Sequence, residues 1–336
     1  MKDTLRACIE DKKTSYTPIW FMRQAGRYLP EFRKIRKKNP DFINLCLNPN
    51  LVNEITLQPI KRFDLDAAII FSDILMIPYG LGQKVEFKKG LGPILSDMNF
   101  NEIINTESQN FLQKLSPVYQ GIKEVRKNLK EKNLIGFTGA PWTLLLYMLN
   151  KESPKNNFSF NKITKDRDLV NKLLKKITEL ICLHIDKQTE AGADIIQIFD
   201  SWAGLLPKKE LQNYCYNPTA KIIDYLRSKK ITVICFPKGI GENYVDFCSI
   251  VKPDCISIDY EIDPKWIKEK LNGLPIQGGL DPKILLTDKE NIKTNVEKYL
   301  NIFKDYPYVF NLGHGVLPET NPEIIEYVIN IVRNKK

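Results

Sequence analysis

Histidine is almost missing from this chain: there are two in 336 residues, His184 and His314. Neither forms an H-x-C or H-x-x-x-H pair, so a zinc site of the Cys/His kind is not expected. The seven cysteines never stand as C-x-x-C, and several lie inside apolar runs. That argues against a disulfide framework and for reduced, mostly buried thiols. No run of about 18 uncharged apolar residues occurs, so no helix is expected to span a membrane. The start, Met1 to Arg6, lacks the apolar stretch of a secretory signal, and the expected compartment is the cytoplasm. Also missing are a G-x-G-x-x-G turn after a strand, a G-x-S-x-G elbow and a P-loop, which weakens the dinucleotide, α/β-hydrolase and nucleotide-triphosphate readings in turn. The net charge is +10, but the lysines are scattered and no basic run is interleaved with aromatics. A nucleic-acid partner is therefore not expected.

What is present is an alternation. Apolar residues make up 43% of the chain, enough for a large core. Short β-rich runs stand at 18–22, 67–71, 134–137, 194–199, 231–236, 255–259, 275–277 and 308–312. They are nearly continuous in apolar character, as parallel strands covered on both faces should be. Helical spacing fills residues 50–62, 108–130, 166–191, 208–229, 241–251, 263–272, 288–304 and 321–334. Residues 74–107 are loop-like with room for a small hairpin, and 150–163 is a polar insert. Eight strands alternating with helices predict a (β/α)8 TIM barrel, one domain spanning 1–336, with a doubly wound sheet as the alternative.

Barrel active sites lie where strands end. Those ends hold Arg23 to Arg27, Ser72-Asp73, Thr138 to Thr143 with Tyr147 a turn later, Asp200-Ser201-Trp202, Lys238-Gly239, Gly278 to Asp281 and Gly313-His314-Gly315. Arg23, Arg27, Arg33 and Arg36 crowd one short segment. Two guanidiniums in a recess make a clamp for carboxylates or phosphates, and Gly26 permits a tight turn between them. Asp73 ends an apolar strand, where a helix cap is the plain alternative. Ser201 could be a cap too, Tyr147 a core aromatic and His314 a structural histidine. His184, mid-helix in an apolar pattern, reads as structural.

Pro18-Ile19-Trp20-Phe21-Met22-Arg23-Gln24-Ala25-Gly26-Arg27-Tyr28-Leu29-Pro30 resembles the first signature of the uroporphyrinogen decarboxylase family, and Gly136 to Leu144 with Tyr147 resembles the second. Phe71 to Leu75, Asp200 to Gly204 and Asn311 to Gly315 resemble further family blocks, in the same order. The resemblance implies a single-domain barrel, usually a homodimer, that needs no cofactor and no metal. It implies that uroporphyrinogen III is the substrate and coproporphyrinogen III plus four CO2 the products. Residue by residue, it implies that Arg23, Gln24, Ala25, Gly26, Arg27 and Arg36 grip substrate carboxylates and that Asp73 receives the pyrrole N–H groups. Tyr147, Ser201 and His314 are implied to line the cleft, with Asp73, Arg23, Tyr147 and His314 as the candidates for catalysis. Two departures, at Met148 to Lys151 and at Gly279, touch none of these positions. Two other classes stay open: a related zinc-dependent methyltransferase, which Cys235-Phe236-Pro237-Lys238 disfavours for want of a histidine, and a tetrapyrrole carrier without chemistry.

Overall fold

A computed structural model describes residues 5–13, 15–88, 90–154 and 158–334. Its centre is a curled sheet of seven parallel strands, in the order Ala67–Ile69, Asn133–Gly139, Ile195–Asp200, Thr232–Pro237, Cys255–Ile258, Ile276–Gly278 and Tyr308–Val309. Spatial order equals chain order, because each strand returns through a helix on the outside. Helix ends are fixed by caps that the sequence announces. Asn48 accepts from the N–H groups of Asn50 and Leu51 to start Pro49–Arg62, Asp166 accepts from Leu169 to start Arg167–Glu190, and Asp288 accepts from Asn291 to start Lys289–Ile302.

The structure refines three expectations. The helical pattern at 108–130 is two helices, Ser108–Lys114 and Ser116–Leu129; Pro117 supplies no N–H to continue the first. The pattern at 208–229 becomes a helix only from Asn217, after a short 3-10 turn and a π-helical turn, again next to a proline, Pro218. The loop at 74–107 does hold a hairpin, Val85–Lys88 against Gly92–Leu95. Part of the polar insert, 155–157, lies outside the described residues.

The run at 18–22 is not a regular strand. It makes one parallel bridge, Ile19 to Phe310, yet its bonds reach both edges of the sheet. Trp20 N–H donates to Phe310 O at 3.3 Å and Phe310 N–H to Pro18 O at 2.8 Å on one side. On the other, Asp66 N–H donates to Ile19 O at 2.9 Å, and Ile19 N–H donates to the Asp66 carboxylate at 2.6 Å. Side chains thus replace part of the ladder: Met22 N–H goes to Asn311 Oδ1 at 3.0 Å, and the Gln24 amide donates to Ala67 O at 3.0 Å.

Alternation along the strands sorts the core. Trp20, Met22, Ala67, Ile69, Ile135, Ile195, Ile234, Phe236, Cys255 and Val309 pack together inside the curl, while the alternate residues pack under the helices. A buried polar layer crosses this interior. Trp20 Nε1 donates to Gln277 Oε1 at 2.8 Å, and Gln277 Nε2 donates to Gln197 Oε1 at 3.1 Å and Ser257 Oγ at 3.2 Å. The helix Leu5–Glu10 covers the end where strands begin: Leu5, Cys8 and Ile9 join the inner cluster, and Arg6 N–H donates to the side chain of Asn133 at 3.1 Å. At the opposite end the half-buried rings of Phe137 and Phe199 meet edge to face at 5.7 Å and form a floor.

Candidate active site

Arg23, Asp73 and Tyr147 come together above that floor. They arrive from the loop after residue 22, the loop after Ala67–Ile69 and the helix Pro141–Asn150. Each interacts electrostatically with the other two. The Arg23 guanidinium sits where burial lowers its pKa while Asp73 and Tyr147 raise it. Arg23 also retains accessible surface, so it is surrounded yet open, as the wall of a cleft must be. Its backbone is left-handed, with φ of +63°. For a residue with a Cβ, that geometry costs about 1–2 kcal/mol and persists only where the surroundings enforce it. Gly26 is needed for a different reason from the one its sequence position suggests. Its φ is ordinary, but a Cβ there would lie 2.7 Å from the Arg23 carbonyl oxygen.

Asp73 is half-buried by accessible surface and enclosed by protein on most sides. Burial pushes its carboxyl up to about 6, against the opposing pull of the Leu75 N–H and Arg23. Leu75 N–H donates to Asp73 Oδ1 at 2.9 Å, so Asp73 makes a local turn but does not cap the short helix Met76–Gly80 that follows. Burial also raises the Tyr147 phenol. The Trp202 ring packs edge-on against it at 6.1 Å, with the indole N–H near the phenol oxygen but outside bonding geometry.

The remaining candidates frame this cluster. His314 is half-buried between two glycines, and Gly315 lies directly against the arginine: a Cβ there would be 2.3 Å from Arg23 Cδ. Arg27 is exposed and close enough to depress Arg23. Arg36 ends the helix Pro30–Lys38, donates to Asn39 O at 2.5 Å and lies 5.5 Å over the Phe42 ring. It flanks the cluster, with the Cys46 thiol feeling both Arg36 and Asp73. Ser201 is half-buried one residue past Ile195–Asp200, on the same face as Phe199. Ala25 and Gly26 are partly buried in the arginine loop. The Gln24 side chain is fully buried: its amide oxygen accepts from Phe21 N–H at 3.0 Å and its nitrogen donates to Ala67 O, which spends it on holding the loop.

Sequence reasoning passed over Asp200 and Thr143 although both stand in quoted blocks. Asp200 is buried and turned away from the mouth. Its Oδ1 accepts from the Thr143 hydroxyl at 2.6 Å, and its Oδ2 faces the Cys215 thiol without a well-formed hydrogen bond. Burial pushes this carboxyl up to about 6 as well. Thr143 Oγ in turn accepts from Trp202 N–H at 3.0 Å, which fixes the ring beside Tyr147. Of Asp73 and Asp200, only Asp73 keeps accessible surface. A groove of about 760 Å³ lies elsewhere, outside the sheet between Arg167–Glu190 and Asn217–Ser228, and contains none of these residues. Among the described residues no three His, Cys, Asp or Glu side chains gather as a metal site requires. Among the described residues no helix is long and apolar enough to cross a membrane.

The family model described as uroporphyrinogen decarboxylase (URO-D) matches residues 1–335. The chain belongs to the uroporphyrinogen decarboxylase family. As such it is a carboxy-lyase of haem biosynthesis. A uroporphyrinogen decarboxylase of Rickettsia bellii is 45% identical over 321 residues, covering 94% of each chain. One of Rickettsia felis is 42% identical over 327 residues, covering 96% of this chain and 94% of the relative. Among solved structures, a methyltransferase from Methanosarcina mazei superposes with a TM-score of 0.80 over 99% of both chains at 17% identity, a likeness of fold alone. Asp73, Ser201 and His314 thus follow strands of the sheet, the arginine loop follows the 18–22 segment, and Tyr147 stands on the helix after Asn133–Gly139.

Proposed function

We propose that the chain decarboxylates the four acetates of uroporphyrinogen III at the Arg23–Asp73–Tyr147 cluster, giving coproporphyrinogen III and four CO2. The observation that carries this reading is a half-buried carboxylate, Asp73, pushed up by burial and balanced by Arg23. Decarboxylation needs an electron sink, and a protonated pyrrole is one. A proton added to the ring α-carbon, next to the carbon that bears the acetate, makes the ring cationic and leaves the acetate-bearing carbon conjugated with the iminium. The bond to the carboxylate then breaks, its electron pair enters the ring and CO2 leaves. A second proton on the exposed methylene carbon gives a methyl group, and loss of the first restores the pyrrole. Asp73, ionised above about pH 6, accepts the pyrrole N–H groups and stabilises a cation that exists only along the path. Arg23, Arg27 and Arg36 hold carboxylates by charge-assisted bonds, with Gln24, Ala25 and Gly26 shaping their loop. Tyr147 and His314 are the candidate proton donors, because arginine at its very high pKa binds better than it donates. Ser201 lines the cleft.

The same reading takes residues 18–20 as the first stave of a closed (β/α)8 barrel and the chain as one domain. It also places the enzyme in the cytoplasm as a homodimer that works without a cofactor. The test is anaerobic incubation of purified protein with uroporphyrinogen III and no additions. Hepta- to tetracarboxylate products are expected, and their absence would overturn the proposal.

A further inference from the structure

We propose that Lys238 is a further substrate-carboxylate-binding residue, facing the arginine loop from across the cleft. This deepens the decarboxylase reading and rests on it. In the strand order, Thr232–Pro237 stands four places from the 18–20 segment whichever way the sheet is followed. A tetrapyrrole carries carboxylates around its whole rim, whereas Arg23, Arg27 and Arg36 all belong to one side. Ile234 and Phe236 point into the interior cluster and Val233 and Cys235 away from it, and Lys238 opens the turn at the cleft end of that strand, where its N–H also donates to Phe236 O at 3.1 Å. The ladder pairs Asp200 with Pro237, and Lys238 N–H still donates to Asp200 O at 3.1 Å. Lys238 is therefore the next neighbour of Ser201 at that end of the sheet.

The backbone under Lys238 is clamped. Its carbonyl accepts from Gly204 N–H at 2.9 Å, and the following Gly239 N–H donates to the Asp259 carboxylate at 2.7 Å. Gly204 is packed so tightly there that a Cβ would lie 2.5 Å from Gly239 O. The acids nearby are occupied: Asp259 also accepts from Tyr244 OH and Glu261 N–H, and Asp200 faces Thr143. Lys238 is half-buried as a residue, and its ammonium makes no ion pair among the described residues. A fixed backbone, a position at the cleft end of the strand and an unspent cation are what an anionic substrate needs on that wall.

The test compares Lys238→Met, Lys238→Gln and Lys238→Arg with Lys172→Met, which removes the same charge from the outer helix. Uroporphyrin, the oxidised octacarboxylate ring, is titrated by fluorescence, and turnover of uroporphyrinogen III is measured separately. Lys238→Met and Lys238→Gln should weaken uroporphyrin binding and raise KM by about tenfold or more, with kcat nearly kept. Lys238→Arg should restore both, and Lys172→Met should change neither. Wild-type binding in a folded Lys238→Met or Lys238→Gln, or equal weakening in Lys172→Met, would overturn the assignment. An inactive wild type that still binds uroporphyrin through Lys238 would sink the decarboxylase reading instead.

Discussion

Replacing Asp73 by Asn should make the protein more stable and nearly inactive at once. The carboxyl rises from 3.8 to about 6 in the folded chain, chiefly through burial. The folded state therefore holds its proton more tightly than the unfolded state. As pH climbs from about 4 to about 6 the unfolded chain ionises first, and stability falls; above about 6 the whole cost is present. At about 1.36 kcal/mol per pK unit, the cost at pH 7.5 approaches 3 kcal/mol, an upper bound because Asp73 keeps some contact with solvent. Asparagine cannot ionise, yet its oxygen can still accept from Leu75 N–H. Asp73→Asn should thus gain up to about 3 kcal/mol in urea unfolding at pH 7.5 and almost nothing at pH 3.5. Asp200 titrates in a similar range, but it does so in both proteins and cancels. Turnover should fall about a hundred- to a thousandfold, the scale seen when one preorganised electrostatic partner is removed. In the wild type, kcat/KM should fall on the acid side of about pH 6. Equal stability of the two proteins at both pH values, or turnover within tenfold, would refute the reasoning.

Three further outcomes are expected. Gly315→Ala should push Arg23 aside, because the new methyl would sit 2.3 Å from its Cδ; KM should rise about tenfold with unchanged circular dichroism. Thr143→Val should leave Asp200 without its hydroxyl partner and release Trp202 N–H, lowering unfolding free energy by about 1–3 kcal/mol in chemical denaturation. His184, buried against Tyr119 OH at 2.9 Å, has its pKa pushed down to about 3. The unfolded chain takes up that proton near pH 6.5, so this residue's stabilising contribution is lost as pH falls from about 6.5 toward 3. NMR should show its ring neutral from pH 8 to pH 5, and titration near 6.5 would refute the burial.

The middle strands were legible because both of their faces are covered. Runs such as Ile195–Asp200 and Thr232–Pro237 carry almost no polar interruption and match the expected spans within a residue or two. The 18–22 segment was legible as apolar but not as irregular. Two of its partners are the side chains of Asp66 and Asn311, and nothing local shows that a distant carboxylate will stand in for a backbone carbonyl. The broken helix at Leu115 was readable from Pro117, and periodicity alone masked it. In the site, Arg23, Asp73 and Tyr147 were found because each ends or follows an apolar strand. Gln24 stands in the same motif yet turns inward to hold Ala67, and Asp200 turns outward to hold Thr143. Which way a strand-end residue faces depends on parity counted from the inner core, and that count needs the register between strands.

The irregular first segment has a consequence for how the enzyme is made. Arg23 follows residues whose hydrogen-bond partners lie near the other end of the chain; Met22 and Asn311 are 289 positions apart. A ribosome must release almost the whole polypeptide before Pro18 and Trp20 can find Phe310. Until then the arginine loop has no anchor on that side, and a nascent or C-terminally truncated chain lacks a complete mouth. Competence is thus a late event in synthesis, gated by the last strand rather than by the residues that touch substrate.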